Sequence, residues 1–524
     1  MIGGPAYLAR LGRAGFVIAR EGVLGLVDVS RLPLSARTAI RIARLIERPP
    51  SKVSENRLAA ALTRLGPSYV KLGQFLATRP DVVGAALARD LATLQDKMAP
   101  FPQADAERMV EAALGLPIGA VFLSFGPPVA AASIAQVHRA EANGELGPRR
   151  VAVKVLRPGI ERRFKVDLDA FTFIARQAEL MSAEARRLRL VEVVDTLSRT
   201  VALEMDLRFE AAALSEMAEN TRNDAEFRVP AVDWDRTARD VLTLEWIEAT
   251  ALSDRAQLEA RGLDLRQLAA AVIQSFLRHA LRDGFFHADM HPGNLFVDES
   301  GALVAVDFGI MGRLGPMERR FLAEILYGFI TRDYHRVAEV HLEAGYVPAK
   351  HSVASFAQAI RAIGEPIHKH TAEEISMARL FVLLFEITGL FDMRTRPELL
   401  LLQKTMVVVE GVARSLDPKL DMWGVAEPVV REWLQHHLGV PGRLEQAASG
   451  AGEIGRFLGE VPGVLTRGAA LVEQLDVITR DGLVLSPQTV TGIGRAEARR
   501  NRANVIALWV IALLLAWLVY LSMD

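Results

Sequence analysis

From Val53 to Leu94 the apolar residues recur at helical spacing in an alanine- and leucine-rich stretch, and Pro67 and Pro80 predict breaks between successive helices. Prolines at 100, 102, 117, 127 and 128 interrupt the next region, where short runs read as strands: Val121–Phe125, Gln136–Ala142 and Val151–Leu156. Two helical stretches come next, about Ile160–Met181 and Leu190–Glu219, and then a β-rich run, Val241–Ile247, before a predominantly helical remainder. One segment has a different character. Val505 to Leu521, VIALWVIALLLAWLVYL, carries no charge in seventeen residues. At about 1.5 Å per residue it reaches roughly 25 Å, just enough to span a bilayer core.

The flanks of that segment sharpen the expectation. Trp509, Trp517 and Tyr520 suit interfacial zones, and Arg495, Arg499, Arg500 and Arg502 precede it, so the positive-inside rule places the bulk of the chain in the cytoplasm. A buried terminal helix or an oligomer interface is the alternative. At the other end, arginines 10, 13 and 20 interrupt the apolar N-terminus; they exclude a secretory h-region and fall on one helix face, suited to docking on the protein or on a membrane surface. The 524 residues exceed one hydrophobic core, and half of them are hydrophobic. The predicted divisions are a helical extension (1–95), a small sheet with a helical insertion (96–247), a helical region (248–440), an amphipathic stretch (441–503) and a transmembrane helix (504–522). A formal net charge of −1 gives no field that would gather nucleic acid, and zero cysteines exclude disulfides, thiolate metal sites and cysteine nucleophiles.

The remaining chemistry concentrates in two motifs, His287-Ala288-Asp289-Met290-His291-Pro292-Gly293-Asn294 and Asp307-Phe308-Gly309. Asn294 lies five residues after Asp289, and Asp307 thirteen after Asn294. These are the spacings of a phosphotransferase centre, in which the first Asp faces the acceptor hydroxyl while the Asn and the second Asp hold magnesium beside the nucleotide phosphates. His287 and His291 around Asp289 also allow an H-x-D-x-H metal site, which would leave Asn294 and Asp307 unexplained. Upstream, strand alternation in Val151-Ala152-Val153-Lys154 sends Lys154 to one face, ready for phosphate oxygens. A helix glutamate should hold it, and of Glu204, Asp206 and Glu210 the partner assigned is Glu210. Between the first strands, Ala130-Ala131-Ala132-Ser133-Ile134-Ala135-Gln136-Val137 reads as G-x-G-x-x-G-x-V with alanine at each glycine position, a stiffer phosphate loop. Alone, such a string reads as helix. Glu245 and Ile247 fall where an adenine hinge would offer backbone groups.

In order along the chain, Lys71-Leu72-Gly73-Gln74, the alanine loop, Lys154, Glu204-Met205-Asp206, HADMHPGN and DFG resemble the UbiB-like atypical kinase family over roughly Leu65 to Arg313. The resemblance implies an α+β, two-lobed protein-kinase-like fold with an N-terminal helical extension and a C-terminal transmembrane helix. It implies ATP or ADP and Mg2+ as cofactors, and a lid formed by Lys71, Gln74, Glu204 and Asp206. It further implies support of ubiquinone biosynthesis at a membrane, with membrane lipids and quinone precursors as partners. Other ubiquinone-biosynthesis enzymes and a homodimer are further options. Departures from protein kinases point away from a protein acceptor: Ala288 replaces the arginine of H-R-D, and no A-P-E follows DFG within GIMGRLGPMERR. A nucleotide-switched lipid-binding or assembly module is the competing reading. A polyprenylphenol hydroxylase is a distant third, since no flavin-type G-x-G-x-x-G follows a strand.

Overall fold

The computed structural model describes residues 5–23, 41, 46–47, 57–369, 387, 390–393 and 397–438, apart from positions 78, 92–93, 95–97 and 146. The chain divides into two units, Met1–Leu434 and Gln435–Asp524. The expected segments 441–503 and 504–522 lie outside the described residues. Among those described, no helix is long and apolar enough to cross a membrane.

Helix α1 (Pro5–Arg20) is followed by α2 (Arg57–Leu65) and α3 (Pro67–Ala77), separated at Gly66 with Pro67 opening the next helix as sequence suggests. Arg10 of α1 pairs with the buried Asp167 at 2.6 Å, so this helix docks on the protein. Gly73 sits where a β-carbon would meet the terminal methyls of Leu94 and Leu62, so any larger residue there requires these two leucines to repack.

After α4 (Gln103–Leu114), strands β1 (Ser124–Ala131), β2 (Ala135–Gly144) and β3 (Gly147–Leu156) form an antiparallel sheet completed by a later strand. The first strand starts later than the apolar run predicts, because Ile118–Val121 closes a helical turn before it. Pro127 and Pro128, which cannot donate to a ladder, are accommodated because β1 is an edge strand with irregular register around them. Val151, Val153 and Val155 are fully buried beside Ala106 and Val110 of α4. Each such valine contributes about 1.5–3 kcal/mol relative to exposure, and alternation then commits Lys154 to the opposite face.

Helix α5 (Ile160–Met181) matches its predicted span, but the second stretch is broken into α6 (Leu190–Glu204) and α7 (Leu207–Asn220). Asp206 is the reason: its backbone is extended, its carboxylate accepts the Arg208 amide as an N-cap, and the Leu207 amide turns to the Arg239 carbonyl. After the short β4 (Phe227–Arg228), β5 (Val241–Glu245) pairs with β3 and closes the first sheet in the order β1-β2-β3-β5.

Beyond it lie β6 (Ala249–Ala251), α8 (Leu265–Arg278), β7 (Phe285–His287), β8 (Leu295–Asp298), β9 (Leu303–Ala305) and β10 (Met311–Arg313). They form a sheet ordered β4-β9-β8-β6 and a β7-β10 pair. Helices α9 (Pro316–Thr331), α10 (Tyr334–Glu343), α11 (Val353–Lys369), α12 (Pro397–Leu416) and α13 (Met422–Leu438) complete the described chain. One large core runs from Ile134 and Leu156 through α7 and α8 to Val430, so the loops joining β7–β8 and β9–β10 are held between the first sheet and the helical body.

Candidate active site

Lys154 is the centre of the arrangement. From β3, opposite Val137 on β2 and Leu242 on β5, its ammonium donates to both carboxylate oxygens of Glu210 at 2.8 and 2.9 Å and to Asp307 Oδ1 at 3.0 Å. Glu210 is buried in the first turn of α7, whereas the Asp307 side chain is half exposed. Burial pushes the Lys154 ammonium down, but the Asp307 and Glu210 carboxylates outweigh it and hold the amine protonated far above its ordinary range. Asp307 moves the other way, depressed first by Lys154, with the Lys71 cation adding to the effect. Burial raises Glu210. The result is a fixed cation with one buried and one solvent-facing carboxylate.

Asp307 has φ of +63°, a left-handed conformation that Asp tolerates better than most residues at a cost of order 1–2 kcal/mol. The turn aims its carboxylate at Lys154. Across from it, Asn294 is nearly buried and its Nδ2 donates to the Asp289 carbonyl at 3.1 Å, which uses the amide nitrogen for the loop and leaves Oδ1 as the acceptor. The Asp289 carboxylate is about one-third exposed.

Hydrogen bonding fixes both flanking histidines. The Asp289 amide donates to His287 Nδ1 at 3.0 Å, so the proton resides on Nε2, which donates to the Val306 carbonyl at 3.3 Å. Burial lowers this imidazole below its usual value and keeps it neutral. His291 Nδ1 likewise accepts the Gly293 amide, leaving its Nε2 3.8 Å from Asp289 Oδ2. With both His287 nitrogens engaged, no H-x-D-x-H metal cluster forms. Both histidines brace the loop that carries Asp289.

The alanine string adopts neither helix nor open loop. Ala130 and Ala131 end β1, Ala132, Ser133 and Ile134 form the turn, and Ala135, Gln136 and Val137 begin β2, with the Ala132 amide donating to the Ala135 carbonyl at 2.8 Å. The Gln136 side chain is turned away, exchanging hydrogen bonds with the Phe101 backbone. At the hinge, the Glu245 amide already donates to Ala231 and its carboxylate accepts from Arg228, whereas Ile247 has no such main-chain bond among the described residues.

The acidic trio does not share one helix. Glu204 ends α6 and pairs with Lys71 of α3 at 2.6 Å, both side chains largely buried, and Gln74 lies half-buried one turn further along α3. Asp206 instead holds Arg208 through two hydrogen bonds of 2.8 and 2.7 Å, and this arginine depresses its carboxyl. Two residues escaped the sequence reading. Arg157 donates through Nε and Nη2 to the Ala132 carbonyl, and the buried Thr405 hydroxyl on α12 lies 3.1 Å from the Ala288 carbonyl. No local pattern marks either one, since each acts across a long stretch of chain.

Residues 93–341 match the ABC1 atypical kinase-like domain, and residues 360–421 the UbiB helical domain. The chain is 39% identical over 445 residues to "Probable protein kinase UbiB" of Marinobacter nauticus, covering 84% of this chain and 81% of that protein. It is also 39% identical over 444 residues to "Probable protein kinase UbiB" of Xanthomonas euvesicatoria pv. vesicatoria, covering 82% and 79% respectively. The solved complex of Rv3197 with erythromycin from Mycobacterium tuberculosis aligns with a TM-score of 0.47 at 24% identity, over 78% of this chain and 99% of that one, a likeness too slight to bear on the assignment. The two domain matches and the two relatives agree: this chain belongs to the UbiB family of atypical kinases, in the phosphotransferase class, with a kinase-like α+β fold.

Proposed function

We propose that the protein binds ATP with magnesium and transfers or hydrolyses the terminal phosphoryl group, at a membrane and in support of ubiquinone biosynthesis, on or near lipid-like quinone precursors. The observation that carries this reading is the convergence of Lys154, Glu210 and Asp307 within 3.0 Å contacts, beside the loop that bears Asp289 and Asn294. Lys154, held by Glu210, would orient phosphate oxygens. Asp307 and the Asn294 amide oxygen would hold magnesium: an all-oxygen donor set suits this hard cation, and among the described residues no cluster of three His, Asp or Glu side chains competes for it. Bound there, the metal would neutralise charge on the phosphates. Asp289 would orient the attacking hydroxyl or water, with His287 and Asn294 keeping its loop in place. Ala132 and its neighbours would cover the phosphates, and the backbone at Glu245 and Ile247 would face the adenine; the Glu245 amide is already committed, which favours Ile247.

The reading of a nucleotide-switched, non-catalytic module draws on the Lys71–Glu204 pair, which places the α3 helix close enough for Lys71 to act on Asp307. Turnover separates the two. With membranes and a phenolic lipid mimic present, the wild type should hydrolyse ATP and Asp289→Asn should lose at least about a hundredfold while still binding nucleotide. Equal turnover in the two proteins would sink the catalytic reading.

A further inference from the structure

A cavity of about 420 Å3 lies away from Lys154, between the α2–α3 turn, the segment before α4 and the β3–α5 turn. That volume is within the range of about 300–1,000 Å3 common for small-molecule sites. Three arginines line it: Arg64, Arg157 and Arg163. Asp105 is the sole carboxylate on its wall among the described residues, and it is engaged by Arg108. Arg64 pairs at its rim with Glu21 at 2.7 Å. Arg163 has no ion-pair partner among the described residues; its hydrogen bond goes to the Leu65 carbonyl at 3.2 Å, at the end of α2. This approach is open only because residue 66 is glycine, with φ of +108° and no β-carbon to strike the guanidinium. The first turn of α5, at Gly159 and Ile160, adds the positive end of a long helix that no side chain caps.

We propose that this cavity binds a phosphate group, and that its occupancy is communicated to the alanine loop. Planar guanidinium forks match phosphate oxygens, and three of them line one open-sided cavity, Arg64 at its rim shared with Glu21; with the sole wall carboxylate among the described residues already paired, they favour a multiply charged anion over a carboxylate. Two of the arginines are also mechanical. Arg157 donates to the Ala132 carbonyl at 2.9 and 2.8 Å through its side chain and to the Ile134 carbonyl through its amide, so it grips the alanine turn. Arg163 holds the junction from which α3, the helix of Lys71, departs. An anion that draws both guanidiniums toward itself alters their hold on the turn and on the junction together. The coupling is reciprocal, so a nucleotide under the turn would change phosphate affinity by the same factor; that last consequence alone rests on the assignment of a nucleotide site beside Lys154.

The test uses the full-length chain in uncharged detergent micelles at low ionic strength, with hydrogen exchange followed in residues 63–67, 130–135 and 157–163. One arm adds inorganic phosphate and the other dopes the micelles with phosphatidic acid. Altered exchange in all three segments on adding inorganic phosphate supports the site with a soluble ligand, and the same response to phosphatidic acid alone supports it with a lipid headgroup. In either case Arg163→Gln should weaken the response about tenfold or more, as expected for loss of a charge-assisted bond. Should that variant not fold, Arg64→Gln at the exposed rim serves, with a loss of several-fold expected. No response in either arm, or undiminished affinity in the folded variants, overturns the proposal, and binding without any change at 130–135 overturns the coupling.

Discussion

Glu210→Gln is the most informative single change to the ion cluster, because it preserves shape while removing one charge from a buried site. In the native protein the Lys154 ammonium is shared between two bonds to Glu210, at 2.8 and 2.9 Å, and one to Asp307, at 3.0 Å. A glutamine oxygen can still accept one bond, but its NH2 group then faces the ammonium. Removing one partner of a buried pair costs about 3–5 kcal/mol when nothing replaces it. Here Asp307 remains as a counter-charge, so we expect a loss nearer that of one charge-assisted hydrogen bond, about 1.5–3 kcal/mol. The same geometry sets the consequence for activity. Freed from Glu210, Lys154 leans on Asp307 and competes for the carboxylate that should hold metal. Magnesium-dependent ATP affinity should fall about tenfold or more. Guanidinium denaturation gives the stability change, and calorimetric titration of ATP at two magnesium concentrations gives the affinity. Unchanged stability and unchanged affinity would together refute the assignment of Glu210 as the residue that positions Lys154.

Thr405→Val should destabilise the protein by about 1–3 kcal/mol, because it removes a buried hydroxyl whose single proton is shared between the Leu401 carbonyl at 2.8 Å and the Ala288 carbonyl at 3.1 Å, and turnover should fall more than nucleotide affinity; denaturation and steady-state kinetics check this. Acid should weaken the fold above the carboxylate range. Burial lowers His279 to about 3, so the unfolded chain takes up its proton first; the associated stability is present above pH about 6.5 and is lost as pH falls toward 3, at about 1.4 kcal/mol per pH unit. His287, His341 and His138 are displaced in the same direction by burial. Denaturant midpoints between pH 7.5 and 5 should therefore decline with a slope that His279→Asn reduces, and a flat profile would contradict this.

The parts of the site that sequence made legible are those fixed by local spacing. The five- and thirteen-residue intervals put Asp289, Asn294 and Asp307 on two adjacent loops, and strand alternation settled which way Lys154 points. Glu210 was reachable because a phosphate-binding lysine calls for a helix carboxylate to hold it, and the helical stretch after the first sheet strands offers one. What stayed hidden depends on competition between local signals. A continuous helical pattern runs through Met205, yet Asp206 offers the backbone a better bond as a cap, which separates Glu204 from Glu210 and sends them to different lysines. The alanine string has helical propensity, but β2 pairing with β3 and the hold of Arg157 override it. Thr405 reaches Ala288 across more than a hundred residues, a distance at which no periodicity carries information.

The central claim, that Asp307 holds the metal beside a nucleotide, is tested most directly by thermal denaturation with ATP and magnesium together. For the wild type, nucleotide at a hundredfold excess over its Kd should add about 2.7 kcal/mol of stability, and this should require magnesium. Asp307→Asn should abolish the magnesium-dependent part. The same magnesium-dependent stabilisation in Asp307→Asn as in the wild type would contradict the account.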